Sequence, residues 1–106
     1  MLISATGTGK TYASAFAIRK LFTDGVFSKN KALFLSHREQ INKQALNSYK
    51  RIFGKNVPMQ LLSGNHKEIQ TARDAQFLFS TMNMMAKEDI REQFSPKEYS
   101  VIILDA

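Results

Sequence analysis

The chain has 106 residues, 43% of them hydrophobic and 23% charged, which suits a single soluble domain (residues 1–106) with a core of its own. It contains no cysteine, no apolar run near the roughly 20 residues a membrane helix needs, and no basic secretory leader, so disulfide frameworks, thiolate metal sites and spanning segments are excluded and a cytoplasmic location is expected. The net charge of +6 is unevenly laid out, with 11 basic and 2 acidic residues up to Lys67 and 4 basic and 7 acidic from Glu68 onward, a balance that favours phosphate-bearing partners in the first part.

Leu2-Ile3 is a short apolar start that runs into Ser4-Ala5-Thr6-Gly7-Thr8-Gly9-Lys10-Thr11. A phosphate-binding loop has the form G-x-x-x-x-G-K-[ST] between a strand and a helix. Gly9-Lys10-Thr11 matches its second half, and Ser4 stands where the first glycine would be. Gly7 and Gly9 let successive N–H groups turn inward as an anion nest, and the following helix adds the partial positive charge of its amino end. Thr6, Gly7, Thr8, Gly9, Lys10 and Thr11 are therefore the expected nucleotide-binding residues. Lys10 is expected on the β- and γ-phosphates of ATP, and the Thr11 hydroxyl on Mg²⁺.

Lys10 to Phe22 reads as a helix, with Ala13, Phe16, Ala17, Leu21 and neighbouring Ile18 as a wide apolar stripe expected to be buried against a sheet. Thr23-Asp24-Gly25 ends it, with Gly25 as a left-handed cap. Ala32 to Ser36 is a continuous apolar run of the kind that forms a strand covered on both faces. A second helix follows from Arg38 to about Phe53, with Ile41, Ala45, Tyr49 and Ile52 on one side and Gly54 beyond it. Met59 to Leu62 is a weaker strand, closed by Ser63-Gly64-Asn65, and residues 67–75 read as a loop or short helix. Phe77 to Ser80 is a further strand, Met82 to Phe94 holds one or two helical turns, and Ser95-Pro96 marks a turn. Val101 to Leu104 is the cleanest strand, and Asp105 follows it.

Strands alternating with helices predict an α/β fold, a mostly parallel sheet of about five strands with helices on both faces. Mg²⁺ needs a carboxylate, commonly through water, and Asp105 at the tip of an apolar strand is the candidate. Hydrolysis also needs a group that orients or deprotonates water. No acidic residue follows Asp105, whose neighbour is Ala106, so the chain as given is expected to bind nucleotide better than it cleaves it. Its start and finish on apolar strands predict a piece of a longer domain.

Four motifs in order resemble superfamily 2 helicases. Ser4 to Thr11 is similar to motif I. Leu33-Phe34-Leu35-Ser36-His37-Arg38-Glu39-Gln40-Ile41 resembles motif Ia of the branch holding type III restriction enzyme helicase subunits and DEAD/DEAH-box proteins. Phe79-Ser80-Thr81-Met82 resembles the following Ser/Ala-Thr segment, and Glu98 to Asp105 the approach to motif II. The resemblance implies the first RecA-like lobe of the P-loop NTPase type, incomplete and ending within motif II. It implies an ATP-dependent helicase or translocase whose second lobe, arginine finger and motif II Glu are absent here, so that residues 1–106 alone are not a helicase.

It also implies catalytic roles for Lys10 and Asp105, with ATP and Mg²⁺ as cofactors. A nucleic-acid backbone, more in keeping with DNA than RNA, would lie across Ser36, Arg38 and Thr81 without sequence specificity. Arg38 can offer a forked donor to phosphate, or pair with a nearby carboxylate. The hydroxyls of Ser36 and Thr81 can hold phosphates, or serve as local caps. Gly64 reads as a turn glycine, His37 and His66 as structural or solvent-facing, Met82, Met84 and Met85 as core filling, and Lys43, Lys50 and Arg51 as a solvated helix face. Two other readings stand beside the helicase: a P-loop NTPase of another kind, and a non-catalytic binding module.

Overall fold

A computed structural model describes residues 2–5, 8–27, 29–54, 56–62, 73–94 and 98–105. In chain order these form β1 (Leu2–Ala5), α1 (Thr8–Thr23), β2 (Ala32–Ser36), α2 (Glu39–Phe53), β3 (Met59–Leu61), β4 (Phe77–Thr81), α3 (Met82–Met85), α4 (Glu88–Gln93) and β5 (Val101–Asp105). The five strands make one sheet in the order β1-β5-β2-β4-β3, and every pairing is parallel. The expected α/β fold is therefore present, with the strand count read from the sequence. The region Met82 to Phe94 resolves into two short helices. Gly25 has φ +70, as a left-handed cap requires, and Gly54 has φ +90 just past α2.

The strand order follows from how the chain crosses the sheet. It moves outward through β1, β2 and β3 with α1 and α2 on one face, then returns through β4 and β5 with α3 and α4 on the other. The returning strands slot into the gaps, β4 between β2 and β3 and β5 between β1 and β2. Parallel crossovers are right-handed, so reversing the direction of travel moves the connecting helices to the opposite face. All strand carboxyl ends then share one edge, where ligands of open α/β sheets bind.

Each face has its own core, as the two-residue period of a strand dictates. Ala15 and Ile18 of α1 and Ala45 and Tyr49 of α2 pack on Ala32, Phe34, Phe77, Phe79, Val101 and Ile103. Ile90 and Phe94 cover Leu33 and Leu78 on the other side, with Leu62, Tyr99 and, at the margin, Met84 and Met85. Those two methionines fill gaps as expected. The first core is aromatic at its centre: the Tyr49 ring stands edge-on to Phe34, Phe77 and Phe79, with centroids 5.6–6.1 Å away. Such pairs are worth about 0.5–1.5 kcal/mol each beyond the area they bury.

The burial of α1 corrects one expectation. Ser14, Ala15 and Ile18 face the sheet, whereas Phe16 is 56% exposed and Ala13 and Ala17 also face outward. The helix is apolar around much of its circumference, so periodicity alone does not choose which stripe docks. The face centred on Ala15, Ile18 and Phe22 wins because it meets Phe77 and the α2 aromatics; Phe22 and Phe77 have centroids 5.8 Å apart. On α2 the expected face holds, with Ala45 and Tyr49 buried and Ile41 and Ile52 packed beside them. Among the described residues no helix is long and apolar enough to cross a membrane.

Candidate nucleotide and nucleic-acid edge

The sheet places the nominated residues on one edge. β1 and β5 run side by side in a register that partners Leu2 with Ile102 and Ala5 with Asp105. The strand that enters the glycine-rich loop thus ends level with the strand carrying Asp105. α1 begins at Thr8 and takes in Gly9, Lys10 and Thr11 in its first turns. Thr6 and Gly7 lie outside the described residues, as do Gly64, His66, residues 67–72, Ser95-Pro96 and Ala106. No acidic residue occupies the first turn of α1, so nothing there opposes an anion at its positive end.

A Mg²⁺ ion held by one hydroxyl, one carboxylate, nucleotide phosphates and water needs no cage of protein ligands. No group of three or more His, Cys, Asp or Glu residues comes together among the described residues. The donor types of Thr11 and Asp105, oxygen only, match the preference of that hard ion.

Further along the same edge, β2 and β4 end in register, with Ser36 partnered to Thr81. Ser36 is fully buried. Its hydroxyl lies 2.7 Å from Asn42 Oδ1 and 2.9 Å from the Arg38 carbonyl oxygen, so one proton is shared between two acceptors. The Asn42 backbone N–H donates to the same Arg38 carbonyl at 3.3 Å. These contacts fold the corner between β2 and α2 and make Arg38 the extended residue at the helix start. The Arg38 side chain is exposed and has no ion pair among the described residues. His37, beside it, is exposed too.

Thr81 caps α3: its Oγ1 accepts the Met84 N–H at 3.1 Å. A hydroxyl used in this way keeps its own proton available for another acceptor. Lys43, Lys50 and Arg51 are exposed on α2, as expected of a solvated face. The sequence reading passed over Asn42, a buried amide in an otherwise amphipathic helix. The signal available was its polar side chain one position from the apolar stripe.

The two helices behind this edge are tied by hydroxyls. Ser14 Oγ of α1 and Tyr49 Oη of α2 lie 2.9 Å apart in the core. Burial pushes the Tyr49 phenol up to about 12, partly offset by that hydrogen bond. Tyr12, nearer the loop, bonds Ser48 and Arg51, which hold its phenol below the usual value. A cleft of about 430 Å³ opens at the opposite end of the sheet, lined by Lys29, Lys31, Arg73, Asp74 and Glu98. Its walls precede the strands, so it is separate from the edge where the nominated residues gather.

The pattern of the family described as "Type III restriction enzyme, res subunit" matches residues 1–106. The chain belongs to that family. The membership makes this a superfamily 2 helicase-related domain, in keeping with its parallel sheet and motif order. At family level it is an ATP-dependent, nucleic-acid-binding enzyme. No curated protein matches the chain closely enough to count as a relative.

Proposed function

We propose that residues 1–106 are the ATP-holding part of a DNA helicase or translocase, with the nucleotide at the β1–β5 end of the carboxyl edge and the polynucleotide at the β2–β4 end. The observation that carries this reading is the register of Ala5 with Asp105, which sets a carboxylate-bearing strand tip level with the start of the glycine-rich loop. Thr6 to Thr11 would wrap the phosphates of ATP, Lys10 would offset charge on the β- and γ-phosphates, and Thr11 with Asp105 would hold Mg²⁺, the latter through water. Mg²⁺ held by Thr11 and Asp105 would supply charge neutralisation to the phosphates. Arg38 would contact backbone phosphate through its forked guanidinium, and Thr81 would add its remaining hydroxyl proton. Ser36 is buried and would act through the corner it braces. A second RecA-like lobe would complete the catalytic cycle, and residues 1–106 alone would be hydrolysis-deficient.

The test is a pair of binding titrations on this chain. Mg-ATP should bind, and labelled DNA strands should bind with an affinity that falls as salt rises. Absence of DNA binding at low salt, with Mg-ATP still bound, would leave a P-loop NTPase of another kind.

A further inference from the structure

At the far end of the same edge, beyond Arg38, a small cavity of about 120 Å³ is lined by Glu39, Asn42 and Lys43 from the first turn of α2 and by Leu61 and Leu62 from the end of β3. Leu61 pairs with Phe79 in the sheet register, and the Leu62 N–H donates to the Phe79 carbonyl at 2.8 Å, so the apolar wall is fixed by the ladder. Water takes about 30 Å³ per molecule, so the space holds roughly four of them. Pockets that enclose whole small-molecule ligands run from about 300 Å³ upward. One flat ring fits; a whole nucleotide does not.

The polar lining is specific. Asn42 is 2% exposed, and its Oδ1 is taken by the Ser36 hydroxyl at 2.7 Å. That bond fixes which way the amide faces and leaves its N–H groups as the available polarity, with no partner among the described residues. Glu39 adds an acceptor and Lys43 a cation, so the charges of the described lining balance, while the exposed Arg38 stands one residue before it. An apolar wall with an oriented donor and an acceptor suits the edge of a heterocycle. The neighbouring exposed guanidinium suits the phosphate attached to it.

We propose that this cavity receives one unstacked nucleobase of a single strand whose phosphate lies on Arg38. The proposal rests on the nucleic-acid reading of this edge and sharpens it: a base inside a duplex keeps its edge paired, so the pocket selects single strands. Ser36 and Asn42 then share a role, the hydroxyl orienting the amide that the base meets.

The experiment compares a short labelled DNA single strand with the same backbone carrying abasic sugars, by fluorescence anisotropy at low salt. The natural strand should bind about tenfold more tightly, as expected for one well-made base contact. Asn42→Asp keeps the acceptor for Ser36 but removes the donor, and should bring the ratio toward unity. Glu39→Ala, at an exposed position that the fold tolerates, should also shrink it. If Glu39 acted only as a repelling charge, the alanine would tighten both strands equally and leave the ratio unchanged. Equal binding of natural and abasic strands by the unaltered chain overturns the pocket and leaves the Arg38 contact standing. A ratio that survives in both variants overturns it as well. Loss of binding to both strands removes the pocket together with the nucleic-acid reading.

Discussion

At the β1–β5 end of the carboxyl edge, the described nominated residues lie in the first turns of α1 and at the tip of β5; at the β2–β4 end, the nominated hydroxyls are occupied by the fold itself. Ser36 shares its proton between Arg38 and Asn42, and Thr81 caps a short helix. The first end places Gly9, Lys10 and Thr11 at a helix start, and that arrangement is local in sequence. The second end presents one exposed arginine on a corner braced from behind by a buried serine of β2 and a buried asparagine of α2. On the proposed function, the difference separates two ways of building a phosphate site. One uses glycine-rich backbone and a helix dipole, and the other fixes a single side chain by burying the polar groups around it.

The comparison can be broken in several ways. Lys10→Ala should weaken Mg-ATP binding at least a hundredfold by calorimetry, because a charge-assisted phosphate contact is lost. It should leave DNA binding and the melting temperature almost unchanged. Unaltered nucleotide affinity would remove the loop assignment, and a joint loss of both ligands would show that the two ends are not separable.

A second test asks whether the ends unfold as one unit, since Ser14 and Tyr49 link α1 to α2 beneath them. Burial raises the Tyr49 phenol to about 12, and burial with the nearby Glu98 charge raises Tyr99 to about 12 against the opposing pull of Arg73. A phenol whose pKa is higher in the folded chain than the usual 10 keeps its proton better when folded. Its contribution is complete below about pH 10 and is lost as pH rises through about 12. Alkaline denaturation followed by circular dichroism should therefore show a loss of up to about 3 kcal/mol from Tyr49 across that window, and a smaller one from Tyr99, whose ring is more open to solvent screening. Tyr49→Phe should flatten that loss, at a neutral-pH cost of about 1 kcal/mol for the missing hydrogen bond.

The third test concerns the β2–β4 end alone. Arg38→Ala should reduce DNA affinity about tenfold and lower the slope of log affinity against log salt by about 1, without changing Mg-ATP binding. The backbone carbonyl that holds Ser36 and Asn42 is kept in this variant, so the fold should not respond. A normal salt slope would place the phosphate contact elsewhere. Smallest is the cap: Thr81→Ala should cost about 1 kcal/mol in urea denaturation, and Thr81→Ser should recover most of it. If both variants are equally stable, the hydroxyl is not acting as a cap.

Much of the fold was legible because apolar runs and helical spacing are local properties. Ala32 to Ser36 and Val101 to Leu104 read as strands from composition, and Ala45 and Tyr49 as the buried side of α2 from spacing. For α1 spacing found Ile18 on the buried side but also placed Ala13, Phe16 and Ala17 there, which face outward. Several of its faces are apolar, and contact with Phe77 and the α2 aromatics decides between them. At the site, glycine spacing marked out the loop, whereas nothing in the sequence marked Asn42 as a partner of Ser36.

The sequence by itself determined the phosphate-loop pattern, the alternation of strands and helices, and the order of motifs that matches the family. Each follows from residue type at short separation. Only the tertiary structure decided that Asp105 ends level with Ala5, that Ser36 ends level with Thr81, and that Leu61 and Leu62 close a pocket against Asn42. Those neighbours lie 100, 45 and about 20 residues apart in the chain. What joins them is strand order and register, which depend on how the outward and returning halves of the chain interleave once both cores are buried.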